Sequence, residues 1–172
     1  MARITLFRHA KAETPTRATS DFDRGLAARG RRNADRMGRF IARHDLLPDL
    51  VIVSPAARTR QTHELACAHW PDIPVIFRDS IYEASATTTL TAIQSLGADR
   101  ERVMVIGHNP GLAVLLGQLV EAPPPDADLF YFPTSCVADI GFDAATIGEI
   151  AEESGRLISL VRVRELGESD PL

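Results

Sequence analysis

The chain has 172 residues, 45% of them hydrophobic and 24% charged, with a formal net charge of −4. That length and balance describe a single domain spanning residues 1–172, large enough to bury a core, and the acidic charge argues against a nucleic-acid binder, which is usually basic. Cys67 and Cys136 are too few and too far apart for a disulfide framework or a zinc site and read as reduced core residues, while the absence of a long apolar run points to no membrane partner and a cytoplasmic location.

Apolar runs and helical patterns alternate along the chain. Ile4 to Phe7 reads as a first strand, because β-prone and apolar residues lie together without helical period. A polar loop through Ser20, Asp21 and Arg24 follows. Ala34, Met37, Gly38 and Ile41 then recur at helical spacing and predict a helix ending near His44. Leu50 to Val53 is a second strand, and Ser54-Pro55 reads as the N-cap and first position of a helix reaching about Ala68. Val75 to Phe77 predicts a third strand, Thr87 to Leu96 a helix, Val103 to Ile106 a fourth strand and Leu112 to Val120 a further helix. Pro123-Pro124-Pro125 interrupts the chain in a surface loop. Cys136 to Phe142 and Leu157 to Val163 predict two late strands, with a helical turn between them over Glu149 to Ser154, and the last residues read as a frayed tail. This βαβα alternation predicts an α/β fold: a mostly parallel sheet with helices on both faces and an antiparallel edge strand.

The polar residues fall where such a sheet would bring them together. The first strand ends in Arg8-His9, the second runs into Ser54-Pro55-Ala56-Ala57-Arg58, the third is followed by Tyr82-Glu83, and the fourth ends in Gly107-His108. Ligands of α/β proteins bind outside the carboxyl ends of parallel strands, so these groups converge on one crevice. Arg8 and Arg58 each offer a forked donor pattern suited to phosphate, and Arg58 falls in the first turn of its helix, where backbone N–H groups also favour an anion. A charge pair at 4 Å in partly screened surroundings contributes roughly 4 kcal/mol, enough for two arginines to hold phosphate without a metal. His9 is the candidate nucleophile, because flanking arginines disfavour the imidazolium and leave a ring lone pair. His108 is a candidate donor to a phosphate oxygen, and Asn109 beside it is a candidate substrate contact.

Two residues keep open readings. Glu83 is either a general acid for the leaving group or an ion-pair partner of a pocket arginine. Arg24, with Asp21 in the long first loop, either contacts the phosphate or substrate or is a solvated loop charge. His44 and His69 sit near helix ends, and His63 lies within a helix; none is placed for catalysis. The G-x-S-x-G spacing of Gly107-His108-Asn109-Pro110-Gly111 carries Asn109 in place of the serine, which excludes a serine-hydrolase elbow. No phosphate-binding glycine loop follows a strand, and no paired His or Cys has metal-ligand spacing.

Leu6-Phe7-Arg8-His9-Ala10-Lys11-Ala12-Glu13 resembles the signature of the histidine phosphatase superfamily, also called phosphoglycerate mutase-like. Asp21 to Gly30, the stretch Ser54 to Thr62 and the stretch Val105 to Leu112 are similar to further blocks, in order, of its short phosphohistidine phosphatase branch, the SixA-like proteins. The resemblance implies a three-layer α/β/α sandwich, no cofactor or metal, transient phosphorylation of His9, and a phosphate pocket of Arg8, Arg58 and His108 that would also accept free phosphate or sulfate. It places Glu83 in the region where many members carry a proton donor, although the longer glutamate motif of the mutase branches is absent. A chain this short lacks the insertions that cap the site in larger members, which favours a phosphorylated protein as substrate. The expected activity is therefore a metal-independent phosphatase acting on phosphohistidine in a protein. The alternatives are a phosphatase of small phosphomonoesters with the same pocket, or a non-catalytic phosphate-binding module.

Overall fold

A computed structural model describes residues 1–122 and 131–167. Ten main elements follow one another: β1 (Ala2–Arg8), α1 (Ala28–Arg43), β2 (Leu50–Val53), α2 (Ala57–Cys67), β3 (Val75–Phe77), α3 (Ala86–Leu96), β4 (Arg102–Gly107), α4 (Gly111–Leu119), β5 (Val137–Phe142) and β6 (Arg156–Val161). The proline run at 123–125 and the tail from 168 lie outside the described residues.

The strands form one sheet in the order β3-β2-β4-β1-β5-β6. The first four positions are parallel neighbours, with Arg8 of β1 opposite Gly107 of β4. The antiparallel pairing expected at the edge involves both late strands: β5 runs against β1, one place in from the rim, and β6 runs against β5 as the outermost strand.

Burial follows the strand period. Ile4, Leu6, Ile52, Val103 and Val105 pack with α3 and α4 on one face, while Phe7, Val51, Val53, Met104 and Ile106 pack with α1 and α2 on the other. Helix α1 forms because its apolar residues Ala34, Met37 and Ile41 recur on one buried face among arginines and other good helix formers. Helix α3 starts where Ser85 accepts a hydrogen bond from the Thr88 N–H at 3.1 Å.

The connections decide where a crevice opens. The chain leaves β1 and β2 toward the α1/α2 face but leaves β4, which lies between them, toward the α3/α4 face. The carboxyl end of β4 is thus flanked on both sides by points where the winding changes direction, the place where ligands enter open α/β sheets.

Two local expectations are corrected. Ser54 does not cap α2, which begins at Ala57 with Ala56 in the capping position; the Ser54 hydroxyl is committed to His108 instead, at 2.7 Å. The helical turn expected over 149–154 is a 3-10 turn at Ile147–Glu149. It forms earlier because Ile147 is fully buried and the N–H groups of Ile147 and Gly148 donate to the carbonyls of Arg100 and Ala98 at 2.9 and 3.0 Å.

The loop between β1 and α1 is pinned by close backbone packing. Gly30 of α1 sits so near the Lys11 carbonyl that a Cβ there would lie 2.0 Å from its oxygen. Alanine would gain about 1 kcal/mol of helix propensity at this position but forces a backbone shift costing about 3 kcal/mol. Gly30→Ala is therefore expected to lose about 2 kcal/mol and about 4–8 °C of Tm in a thermal melt. A melting point equal to or above that of the parent chain would show that Lys11 is not held by this contact.

Candidate active site

Arg8, His9, Arg24, Arg58, Glu83, His108 and Asn109 line a single cleft of about 360 Å³, together with Lys11, Glu13, Thr14, Pro15 and Thr134 among others. All seven residues selected from the sequence are therefore brought to one place. His44, His63 and His69 lie elsewhere: His44 stacks on Phe40, His63 packs edge-on against Trp70 and Phe77, and His69 bonds Asp35 at 2.7 Å.

The parallel ladder sets the centre of the site. The His9 N–H continues it by donating to the Gly107 carbonyl at 3.0 Å. The two imidazoles, one at the end of β1 and one at the end of β4, stand 5.3 Å apart between ring centroids. His9 Nδ1 lies 2.7 Å from the Ala10 carbonyl oxygen. A carbonyl only accepts, so Nδ1 carries the proton and Nε2 keeps its lone pair. His108 Nε2 meets the Ser54 hydroxyl from the end of β2, and its Nδ1 is buried without a partner. The row Ser54–His108–His9 is thus the strand order β2-β4-β1 written in side chains.

Both rings are held neutral. Burial lowers the His9 pKa to about 4, helped by the positive charges of Arg58, Arg8 and Arg24 and opposed by the Ala10 bond. Burial likewise lowers that of His108 to about 3, with further contributions from His9 and Arg58.

Arg8 and Arg58 are fixed by their terminal nitrogens and left open at Nε. Arg8 Nη1 donates to the Phe132 carbonyl at 2.9 Å. Arg58, only 2% exposed, donates from Nη1 to the Asp21 carbonyl and from Nη2 to Asp21 Oδ2 at 3.0 Å and Glu83 Oε1 at 3.3 Å. Arg24 donates to Asp21 Oδ1 and to the Glu13 carbonyl. Asn109 donates to the Phe132 carbonyl at 2.9 Å. Among the described residues seven buried polar side-chain atoms have no partner, and four belong to this cleft: Arg8 Nε, Arg58 Nε, His108 Nδ1 and Asn109 Oδ1. Buried polar groups are normally satisfied by protein, water or ligand, so this clustering marks a polar pocket fit for water or an anion.

The amides of α2 add less than the sequence implied, because the Ala57 N–H is taken by the Phe22 carbonyl at 2.9 Å. Glu83 sits at φ 47°, a left-handed conformation unusual for a side chain of its size, with its carboxylate 58% exposed. Its segment is seated against Gly111, where a Cβ would lie 2.3 Å from the Ala84 oxygen. That close approach explains the second glycine of the Gly107–Gly111 motif.

Several site residues had no distinct signal. Thr134 and the Phe132 carbonyl reach the cleft because β5, being antiparallel, begins at the edge where the parallel strands end. Among the described residues no group of three or more His, Cys, Asp or Glu is arranged to hold a metal, and no helix is long and apolar enough to cross a membrane.

The sequence profile of the histidine phosphatase superfamily (branch 1) matches residues 4–90, half of the chain. The chain belongs to that superfamily. An uncharacterised protein of Mycobacterium tuberculosis (strain H37Rv) is 33% identical over 137 residues, covering 76% of this chain and 84% of its own length. A solved structure assigned as the phosphohistidine phosphatase SixA of Agrobacterium tumefaciens is 31% identical, with a TM-score of 0.77 over 94% of this chain and 97% of that one. The protein histidine phosphatase SixA complexed with tungstate superposes with a TM-score of 0.78 over 96% of this chain and 99% of that one; at 20% identity this likeness speaks to the fold. Within the superfamily this chain falls with the SixA-like branch.

The lowered histidines carry a consequence for stability. The unfolded chain binds protons at these rings below about pH 6.5, whereas the folded chain resists until about 4 at His9 and about 3 at His108. The unfolded state therefore holds more protons in that window, and stability is lost as pH falls through it. Thermal melts from pH 7 to 4 are expected to show a steeper fall in Tm for the parent than for a His9→Asn/His108→Asn double variant. Parallel curves would contradict the burial of neutral rings.

Proposed function

We propose that this chain is a metal-independent phosphatase that carries the phosphoryl group on His9 Nε2 and acts on phosphohistidine presented by a protein. The reading is carried by one observation: four of the seven buried polar side-chain atoms left without partners among the described residues lie in the cleft lined by a histidine whose Nε2 holds a free lone pair.

A phosphate seated there meets Arg8 Nε, Arg58 Nε and His108 Nδ1, donors placed to stabilise charge on the equatorial oxygens. Neutral His9 attacks phosphorus through Nε2, forming a P–N bond as the bond to the leaving group breaks. The Ala10 carbonyl stabilises the positive charge that develops on the ring, because it already accepts the Nδ1 proton. The leaving group takes a proton from Glu83 in this scheme. Water then attacks the phosphorus, giving a proton to the Glu83 carboxylate left by the first step, and the P–N bond breaks to release inorganic phosphate and the neutral ring. Arg24 and Asn109 are assigned to substrate contact on the cleft wall.

Two features favour phosphohistidine in a protein. The outer wall of the cleft is a run of exposed loop residues, Glu13, Thr14 and Pro15, with no further layer over them among the described residues. Glu83 is largely exposed and shared with Arg58, so it reaches the leaving group only as a loosely placed donor, which suits a phosphoramidate because its leaving group departs more readily than an alkoxide. The likeness to the Agrobacterium tumefaciens protein assigned as a phosphohistidine phosphatase supports this choice of substrate.

Turnover compared on a phosphohistidine-bearing protein and on a panel of sugar and nucleotide phosphates tests the substrate. The expected result is kcat/KM at least about 100-fold higher on the phosphoprotein, a difference of about 2.7 kcal/mol in the barrier. Preference for one small ester overturns the substrate assignment and leaves the phosphatase reading intact. His9→Ala is expected to abolish turnover on every substrate; near-parental rates in that variant overturn the mechanism. Glu83→Gln is expected to slow ester hydrolysis by about 10²-fold or more while affecting phosphohistidine much less.

A further inference from the structure

Asp21 stands apart from the other residues around the cleft. It lies on the exposed loop between β1 and α1, its side chain is 45% exposed, and it is not among the residues lining the cleft. Yet each of its oxygens is engaged. Oδ1 accepts from Arg24 Nε and Nη2 at 3.2 and 2.7 Å. Oδ2 accepts from Arg58 Nη2 at 3.0 Å and from the Tyr82 hydroxyl at 2.8 Å. Its backbone carbonyl accepts from Arg58 Nη1 at 2.7 Å. The bonds from Arg24 and Tyr82, more than any other cause, hold its carboxyl far below the usual carboxylate range, so it is a fixed charge and not an acid.

The geometry follows from these contacts. Asp21 binds both terminal nitrogens of Arg58 and leaves Nε as the buried donor without a partner. It also bridges Arg58 to Arg24, two like charges that otherwise repel beside the cleft. Tyr82 braces the carboxylate from the other side; its ring packs edge-on against His108 at 5.5 Å and against Phe22 at 5.2 Å. Glu83 touches Arg58 through a single contact at 3.3 Å and cannot replace this two-point grip.

We infer that Asp21 is a positioning residue for phosphoryl transfer: from outside the cleft it orients Arg58 and Arg24 toward the phosphate, with Tyr82 as its strut. The inference rests on the phosphatase reading above for its kinetic effect, but not for its effect on anion binding. A misoriented guanidinium costs most when charge builds on the phosphoryl oxygens, so the loss falls on kcat and on binding of a transition-state analogue more than on KM.

The test compares Asp21→Asn, Asp21→Glu and Tyr82→Phe with Asp23→Asn, a control on the same loop whose carboxylate accepts from Ser20. Three quantities are measured: kcat and KM on the phosphohistidine protein, vanadate affinity by calorimetry, and the folded fraction by thermal melting. Asp21→Asn is expected to lower kcat and vanadate affinity in parallel by about tenfold or more, with KM changed less than about threefold. Tyr82→Phe is expected to show a smaller loss of the same kind, Asp21→Glu a partial recovery, and Asp23→Asn none. Vanadate affinity and kcat within about twofold of the parent in Asp21→Asn would overturn the inference. A loss accounted for by the folded fraction alone, with vanadate affinity per folded molecule unchanged, would overturn it too. Should the parent chain bind vanadate but hydrolyse nothing, the functional proposal fails while the vanadate comparison still decides the role of Asp21.

Discussion

The parallel pairing of β1 with β4 sets the position of everything else at this site. It places Arg8 opposite Gly107 and continues for one more bond into His9, so that two histidines far apart in sequence end as neighbours. Side chains alternate faces with a period of two, and a slip of one residue would send His9 and His108 to opposite sides of the sheet. The register is held by packing rather than by the polar residues. Ile4, Leu6, Val103 and Val105 are buried against α3 and α4, and Phe7, Met104 and Ile106 against α1 and α2, so neither strand can move without exposing apolar surface on both faces. Each fully exposed side chain of this size would cost about 1.5–3 kcal/mol.

Onto that frame the cleft sets a local electrostatic tension. Three arginines surround two imidazoles from which water is largely removed, and both effects favour the neutral ring. A neutral His9 is a nucleophile only if the proton sits on the correct nitrogen, and the Ala10 carbonyl settles that within one residue of the ring. The arginines are held in place from behind: Arg8 by the Phe132 carbonyl, Arg58 by Asp21, Arg24 by Asp21 and the Glu13 carbonyl. The ties on Arg8 and Arg58 leave the Nε of each uncommitted, and those are the donors that the proposed mechanism offers to an incoming phosphoryl group.

Much of this was legible in the amino-acid order, for physical reasons that differ between residues. Arg8-His9 and Gly107-His108 stand out because each closes a short apolar run, and parallel topology sends such ends to one edge. Arg58 follows from the helix start after β2. The roles of Ser54 and Asp21 were not legible. Ser54-Pro55 has the local form of a helix cap, but the hydroxyl is claimed by His108, whose proximity exists only once β2 and β4 are paired. Asp21 finds Arg58 and Tyr82 at sequence separations of 37 and 61, and nothing near it in the chain distinguishes it from Asp23. Thr134 enters through an antiparallel strand whose direction the apolar pattern does not specify. Backbone placement was thus readable from periodicity, whereas side-chain partnerships across the sheet edge depended on strand order.

The central claim is that His9, with Nδ1 committed to Ala10, accepts the phosphoryl group on Nε2. It is tested most directly by trapping the enzyme during turnover in an alkaline denaturing quench, then locating the phosphoryl group by mass spectrometry and phosphorus NMR. The expected result is Nε2-phosphohistidine at position 9, formed at the rate of turnover or faster. A phosphoryl group on Nδ1 or on another residue, or hydrolysis with no protein-bound phosphate, would contradict it.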